Sequence, residues 1–189
     1  MTGRHPQRGG VHHWTQGDMN GPDGINMSLE EVTLAEALKP AGYRTALFGK
    51  WHLGAHPELH PLKRGFDFFH GHLGGGHNYF PELLTIKESY DAVDEPQSYQ
   101  TWILRNHKPV EPTQYLTDDF SDAAVEFIET NTDNPFFLFL SYNAPHTPMQ
   151  ATEKYLARFP DIKDQKRRTY AAMVSAVDDG VGRVLATLR

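Results

Sequence analysis

An α/β fold is the architecture this sequence predicts: part of a doubly wound, mostly parallel sheet flanked by helices. Three observations carry it. Stretches of helical apolar spacing alternate with short apolar runs along the 189 residues. Phe136-Phe137-Leu138-Phe139-Leu140 is a continuous apolar run between turn signals, which suits a strand covered on both faces. Each short strand leads at once into a polar loop rich in glycine or proline, the position where open α/β sheets bind ligands.

The elements follow in order. Residues 1–27 hold many Gly, Pro, Asn and Asp without periodicity and read as irregular loop. Ser28 with Glu31 fits a capping box, and Leu29, Val32, Leu34, Ala35 and Leu38 give the following helix an apolar face. Pro40 and Gly42 stop it. Thr45 to Phe48 is a short strand, and residues 54–82 read as loop. Residues 83–112 fit two short strands, around Ile86 and Trp102-Ile103-Leu104, in a hairpin-like excursion. A helix starts at Thr117, with Phe120, Ala123, Ala124, Phe127 and Ile128 in phase. Asn131 to Pro135 is a turn before the strand at Phe136. A last helix covers Tyr170 to Leu188, with Met173, Val177, Val181, Val184, Leu185 and Leu188 on one side.

Composition narrows the function. The length suits one domain or a large piece of one. Hydrophobic residues make up 39% and charged residues 22%, so a packed core is expected rather than disorder. A formal net charge of −6 argues against nucleic acid as the main partner. The absence of cysteine excludes disulfides, thiolate zinc sites and a cysteine nucleophile within these residues. No apolar run approaches a membrane span. Eleven histidines are the compositional oddity, because histidine titrates near neutrality and is a common metal ligand.

Two strand ends gather chemistry. Lys50 and His52 follow the first strand in Gly49-Lys50-Trp51-His52-Leu53-Gly54, and His146 follows the Phe136 strand in Ser141-Tyr142-Asn143-Ala144-Pro145-His146-Thr147-Pro148. Both loops should open on the same sheet edge. A lysine supplies fixed positive charge and histidines supply hydrogen bonds or protons, a set that suits a tetrahedral sulfate or phosphate ester. On position alone, a solvated lysine and a locally bonded histidine fit equally well. Trp51 is expected to pack under the Lys50 loop and fix it.

The motifs around these residues resemble a known family. Gly42-Tyr43-Arg44-Thr45 through Gly49-Lys50-Trp51-His52-Leu53-Gly54 resembles the second signature of the type I sulfatases. Gly65-Phe66-Asp67-Phe68-Phe69 and Gly71-His72-Leu73-Gly74-Gly75 resemble the loop after that signature. Phe136 to Pro148 resembles the family's strand with its Ala-Pro-His-x-Pro loop. Tyr170-Ala171-Ala172-Met173, Asp178 and Val181-Gly182-Arg183-Val184 resemble the helix that follows. Met1-Thr2-Gly3-Arg4 resembles the tail of the nucleophile motif, while residues 83–115 match no part of the family's pattern.

The resemblance implies an alkaline-phosphatase-like fold and hydrolysis of sulfate esters, with a small-molecule or carbohydrate sulfate as substrate. It implies that Lys50 contacts the sulfate and leaving-group oxygens. His52 would orient or deprotonate the hydroxyl of a formylglycine nucleophile, and His146 would bind sulfate and help protonate the leaving alcohol. The family makes formylglycine from the cysteine or serine of a C/S-x-P-x-R motif, which falls upstream of Met1. Its divalent metal, usually calcium, is held by acidic residues expected outside this chain. Residues 1–189 therefore read as the central part of a sulfatase catalytic domain, truncated at both ends and not competent alone. The family's members are periplasmic, secreted or lysosomal.

Other readings attach to particular residues. A phosphomonoester or phosphonate ester hydrolase of the same superfamily would use the same Lys50 and histidines. A histidine-rich metal-binding module would rest on His52, His56 and His60, although Gly54, Pro57 and Pro61 disfavour the helix such zinc spacing needs. His70, His72 and His77 flank Gly74-Gly75-Gly76, which reads as a tight, mobile loop rimming the site. His12, His13 and Trp14 read as exposed loop, and Asp178 and Asp179 as solvated or cap-pairing residues of the last helix.

Overall fold

The computed structural model describes residues 1–12, 26–84 and 101–189. Helix α1 spans Leu34–Leu38 and begins later than the sequence pattern indicates. Two Ser/Thr-x-x-Glu candidates compete for its start, and Thr33 with Glu36 wins. Thr33 Oγ1 accepts from Glu36 N at 3.0 Å, and the Glu36 carboxylate accepts from Thr33 N at 2.6 Å. At the Ser28 candidate, Arg4 holds the Glu31 carboxylate at 2.6 Å, so it cannot reach back as a cap. Buried Arg64 meanwhile donates to the carbonyls of Ser28 and Glu31, which keeps that segment out of the helix. Leu29 and Val32 are therefore exposed. Gly42 adopts φ +83° where the chain turns out of α1 into the sheet.

Strand β1 runs Arg44–Lys50, longer than the pattern indicates, and β2 runs Phe68–His72. The sequence reads β2 as loop, because Phe-Phe-His-Gly-His lacks the alternation or apolar run of a strand. It becomes a strand because β1 offers a parallel ladder in the register Ala46↔Phe68 to Lys50↔His72. A short hairpin follows, β3 at Leu104–Arg105 and β4 at Lys108–Pro109, turning at Asn106 with φ +56°. Leu104 of the expected strand pairs here, and Ile86 lies outside the described residues.

Helix α2 spans Leu116–Thr130 and strand β5 spans Phe136–Ser141. A short helix α3 covers Glu153–Leu156. The last helix, α4, covers Gln165–Thr187 and starts before the expected Tyr170. Asp164 accepts from Arg167 N at 2.7 Å and nucleates a polar first turn that apolar spacing cannot reveal.

The sheet order is β4-β3-β2-β1-β5, with β2, β1 and β5 parallel and the hairpin antiparallel at one side. Ala46 and Phe48 pack against Ala123, Ala124 and Phe127 of α2. The opposite face carries Leu47 and Phe69, packed with Ala35 of α1, Trp51 and Phe66. This is a helix–sheet–helix sandwich, as an α/β reading requires. All six β5 residues are half-buried, since β5 is the sheet's edge among the described residues. None of the described helices is long and apolar enough to cross a membrane.

Candidate active site

Three parallel strands end together. Gly49 of β1 is in register with Gly71 of β2 and Ser141 of β5. The backbones come so close that a Cβ on Gly49 would strike the Ser141 carbonyl, and one on Gly71 would strike the Gly49 carbonyl. Gly49 also holds φ +108°, which a side chain disfavours. Lys50 and His52 thus leave β1 beside the loop that leaves β5.

The β1 loop is fixed on both sides. Trp51 N donates to His72 O at 3.0 Å and His52 N to Leu73 O at 3.1 Å, continuing the contacts to β2 past the end of β1. The Trp51 indole is buried, donates from Nε1 to Leu59 O at 3.0 Å, and meets Phe66 edge-on at 6.1 Å. His52 itself holds φ +55°. For a side-chain-bearing residue that strain is about 1 kcal/mol or more, and it is sustained by the bonds around it.

His146 is placed by its own loop. Its N–H donates to Asn143 O at 3.0 Å, and Tyr79 Oη donates to its carbonyl at 2.8 Å. His146 Nδ1 lies 2.7 Å from Thr147 O, an acceptor, so Nδ1 carries a proton.

The electrostatics of the cluster favour an anion. Burial lowers the Lys50 ammonium from its ordinary value. His52 is lowered to about 4, by burial first and then by the positive charges of Lys50 and His146. Both charged neighbours that act on His52 are cationic, so an anion placed among them relieves both the repulsion and the lost hydration. His72 is fully buried and falls well below its ordinary value, through burial, then His77 and Lys50. Neither of its ring nitrogens makes a well-formed hydrogen bond.

The structure thus brings together Lys50, His52 and His146, and it adds His72, the register partner of Lys50 on β2. The expected mobile loop at Gly74-Gly75-Gly76 is instead packed in: every residue from Gly71 to His77 is buried. The physical reason is Thr101, whose Oγ1 accepts from Leu73 N at 2.9 Å and Gly74 N at 3.2 Å. Nothing local in the sequence marks Thr101, Tyr79 or Asn143 as site residues, because their partners are distant along the chain. His70 points away to Asp119 at 2.6 Å and Leu104 O at 3.2 Å. His56 and His60 are caps, accepting from Glu58 N at 3.3 Å and Leu62 N at 3.2 Å through Nδ1. Asp179 pairs with Arg158 at 2.7 Å while Asp178 is exposed. His12 is exposed, and His13 and Trp14 lie outside the described residues.

A lysine and imidazoles without a carboxylate do not suit a hard cation such as calcium, which takes oxygen ligands. Among the described residues no group of three or more His, Asp or Glu side chains is placed to hold a metal.

Comparison with known proteins decides among the anion chemistries. The sulfatase family model matches residues 1–189. The chain belongs to the sulfatase family. Mouse N-acetylgalactosamine-6-sulfatase is 32% identical over 199 residues, covering 100% of this chain and 36% of that protein. The arylsulfatase of Klebsiella aerogenes is 30% identical over 181 residues, covering 90% of this chain and 36% of that protein. Among solved structures, Ps i-CgsB in complex with k-i-k-neocarrahexaose matches this sulfatase chain with a TM-score of 0.86 and 42% identity. That match covers 100% of this chain and 42% of the other. The chain spans about a third of the length of the curated relatives it matches. Neither the phosphoester reading nor the metal-module reading is favoured by these matches.

Proposed function

We propose that this chain forms the sulfate-gripping part of a sulfuric ester hydrolase. The observation that carries the reading is the convergence of Lys50, His52 and His146 at adjacent parallel strand ends, where the charges acting on His52 are all positive. In this role Lys50 neutralises the sulfate oxygens and the charge that develops on the leaving oxygen. His146 donates from Nε2 to the leaving alcohol. His52, held neutral, accepts the proton of the attacking hydroxyl. A formylglycine, when present, would supply the attacking hydroxyl, and a divalent metal such as calcium, which takes oxygen ligands rather than Lys50 and the imidazoles, would supply polarisation of the sulfate. With only cationic and imidazole groups at the site, the 1–189 chain binds sulfate without turning esters over.

The substrate is a sulfated carbohydrate, a reading supported by the likeness to Ps i-CgsB, solved with an oligosaccharide at 42% identity. Calorimetric titration of the chain with inorganic sulfate tests the site. Saturable binding, weakened about tenfold or more by Lys50→Ala, which corresponds to about 1.4 kcal/mol, is the expected result. Binding indifferent to Lys50 would refute the proposal.

A further inference from the structure

We propose that His77 is a positioning residue of this site, tying the loop of Lys50 and His52 to the loop of His146. The inference rests on the sulfate-gripping reading and assigns a role to a histidine that reading does not use. His77 is fully buried. Its Nε2 donates to Thr101 O at 2.8 Å, while Nδ1 stands 3.2 Å from Asn78 O. Its own carbonyl accepts from Asn143 Nδ2 at 3.0 Å.

These contacts close a path from one loop to the other. His52 N donates to Leu73 O at 3.1 Å, and Leu73 N donates to Thr101 Oγ1 at 2.9 Å. Thr101 O accepts from His77 Nε2, and His77 O accepts from Asn143 Nδ2. Asn143 O then accepts from His146 N at 3.0 Å. Every link uses a main-chain group on at least one side, so the path sets backbone positions rather than side-chain rotamers. Thr101, His77 and Asn143 each bond through the side chain on one side and the backbone on the other, and His77 is the middle link that joins the two halves. Burial lowers its proton affinity and its two carbonyl neighbours raise it. The neutral ring with its proton on Nε2 fits the shorter bond. A glutamine can present an amide N–H to Thr101 O in place of Nε2–H, and an alanine cannot.

The test uses the whole chain, inorganic sulfate as probe, and imidazole NMR titration of His52. In the parent chain, His146→Ala should raise the His52 midpoint, because the His146 charge lowers it. His77→Ala should remove that sensitivity and weaken sulfate about tenfold, a coupling of ordinary size between linked sites. His77→Gln should keep both. Asn143→Ala removes the bond to His77 O while leaving the His77 ring in place, and should reproduce the loss; it decides the matter if His77→Ala does not fold. Unchanged His52–His146 coupling in His77→Ala or Asn143→Ala overturns the proposal, as does absence of coupling in the parent chain. If the parent chain shows the coupling but binds no sulfate, the sulfate reading fails while the positioning role of His77 stands.

Discussion

Lys50 and His72 are register partners at the ends of β1 and β2, so an ammonium group stands beside a fully buried imidazole on one face of the sheet. Both cannot carry charge there without strong repulsion. Burial and Lys50 together keep His72 neutral, and that neutrality makes the fold sensitive to acid.

The sign follows from proton counting. His52 and His60 are lowered to about 4, and His72 and His77 are lowered as well, each chiefly by burial. The unfolded chain titrates these groups near 6.5 and so binds more protons below that pH. The stability that these neutral rings contribute is therefore fully present above about pH 6.5 and is lost as pH falls toward 4. Urea unfolding at pH 7 and pH 5 should show a lower midpoint at pH 5. His72→Phe, which cannot titrate, should reduce the difference. Equal midpoints at the two pH values would contradict the neutral burial of these rings.

Sulfate should act on His52 in the opposite direction. The site lowers His52 because the ring is buried beside Lys50 and His146. A bound dianion favours the imidazolium, so the His52 midpoint should rise from about 4 when sulfate is added. By linkage, sulfate should bind more tightly as pH falls below the raised His52 midpoint toward 4. NMR titration of His52 with and without sulfate measures the shift, and calorimetry at two pH values measures the affinity. An unmoved midpoint with saturable binding would place sulfate elsewhere.

Much of this was readable from local sequence, and the boundary is physical. Strands β1 and β5 announce themselves through Thr45 to Phe48 and Phe136 to Leu140, because apolar runs between turn residues need no distant partner to be recognised. Lys50, His52 and His146 follow from lying just past those strands. Strand β2 has no local signal, since Phe-Phe-His-Gly-His becomes a strand only when β1 lies alongside. The start of α1 differs from the Ser28 capping pattern because Arg4 and Arg64, both far along the chain from Ser28, divert its capping partners. The links through Thr101, His77 and Asn143 join residues dozens of positions apart, and no local pattern encodes them.

The strand crossing at Gly49 and Gly71 should tolerate no side chain. A Cβ at either position meets backbone rather than a flexible side-chain end. Gly71→Ala should cost about 1–3 kcal/mol or more from overpacking. Gly49→Ala should cost more, since φ +108° adds backbone strain. Thermal unfolding of both variants ranks them; a Gly49→Ala chain as stable as the parent would contradict the close approach of β1 to β5.

Trp51 offers a way to separate the stability of the Lys50 loop from its chemistry. Its indole is buried and its Nε1 donates to Leu59 O at 3.0 Å, eight residues along. Trp51→Phe keeps most of the apolar contact with Phe66 but leaves the Leu59 carbonyl without its donor. The loss should be about 1–3 kcal/mol, the cost of an unpaired buried polar group. The strained backbone of His52, at φ +55°, lies one residue beyond. Loosening Trp51 lets that strain relax, which moves Lys50 and His52 relative to His146. Sulfate affinity should therefore fall in Trp51→Phe by more than the parent loses on mild heating to the same residual stability. If affinity follows stability alone, Trp51 is a core residue and nothing more. If affinity falls first, the indole is what aims Lys50 and His52 at the anion.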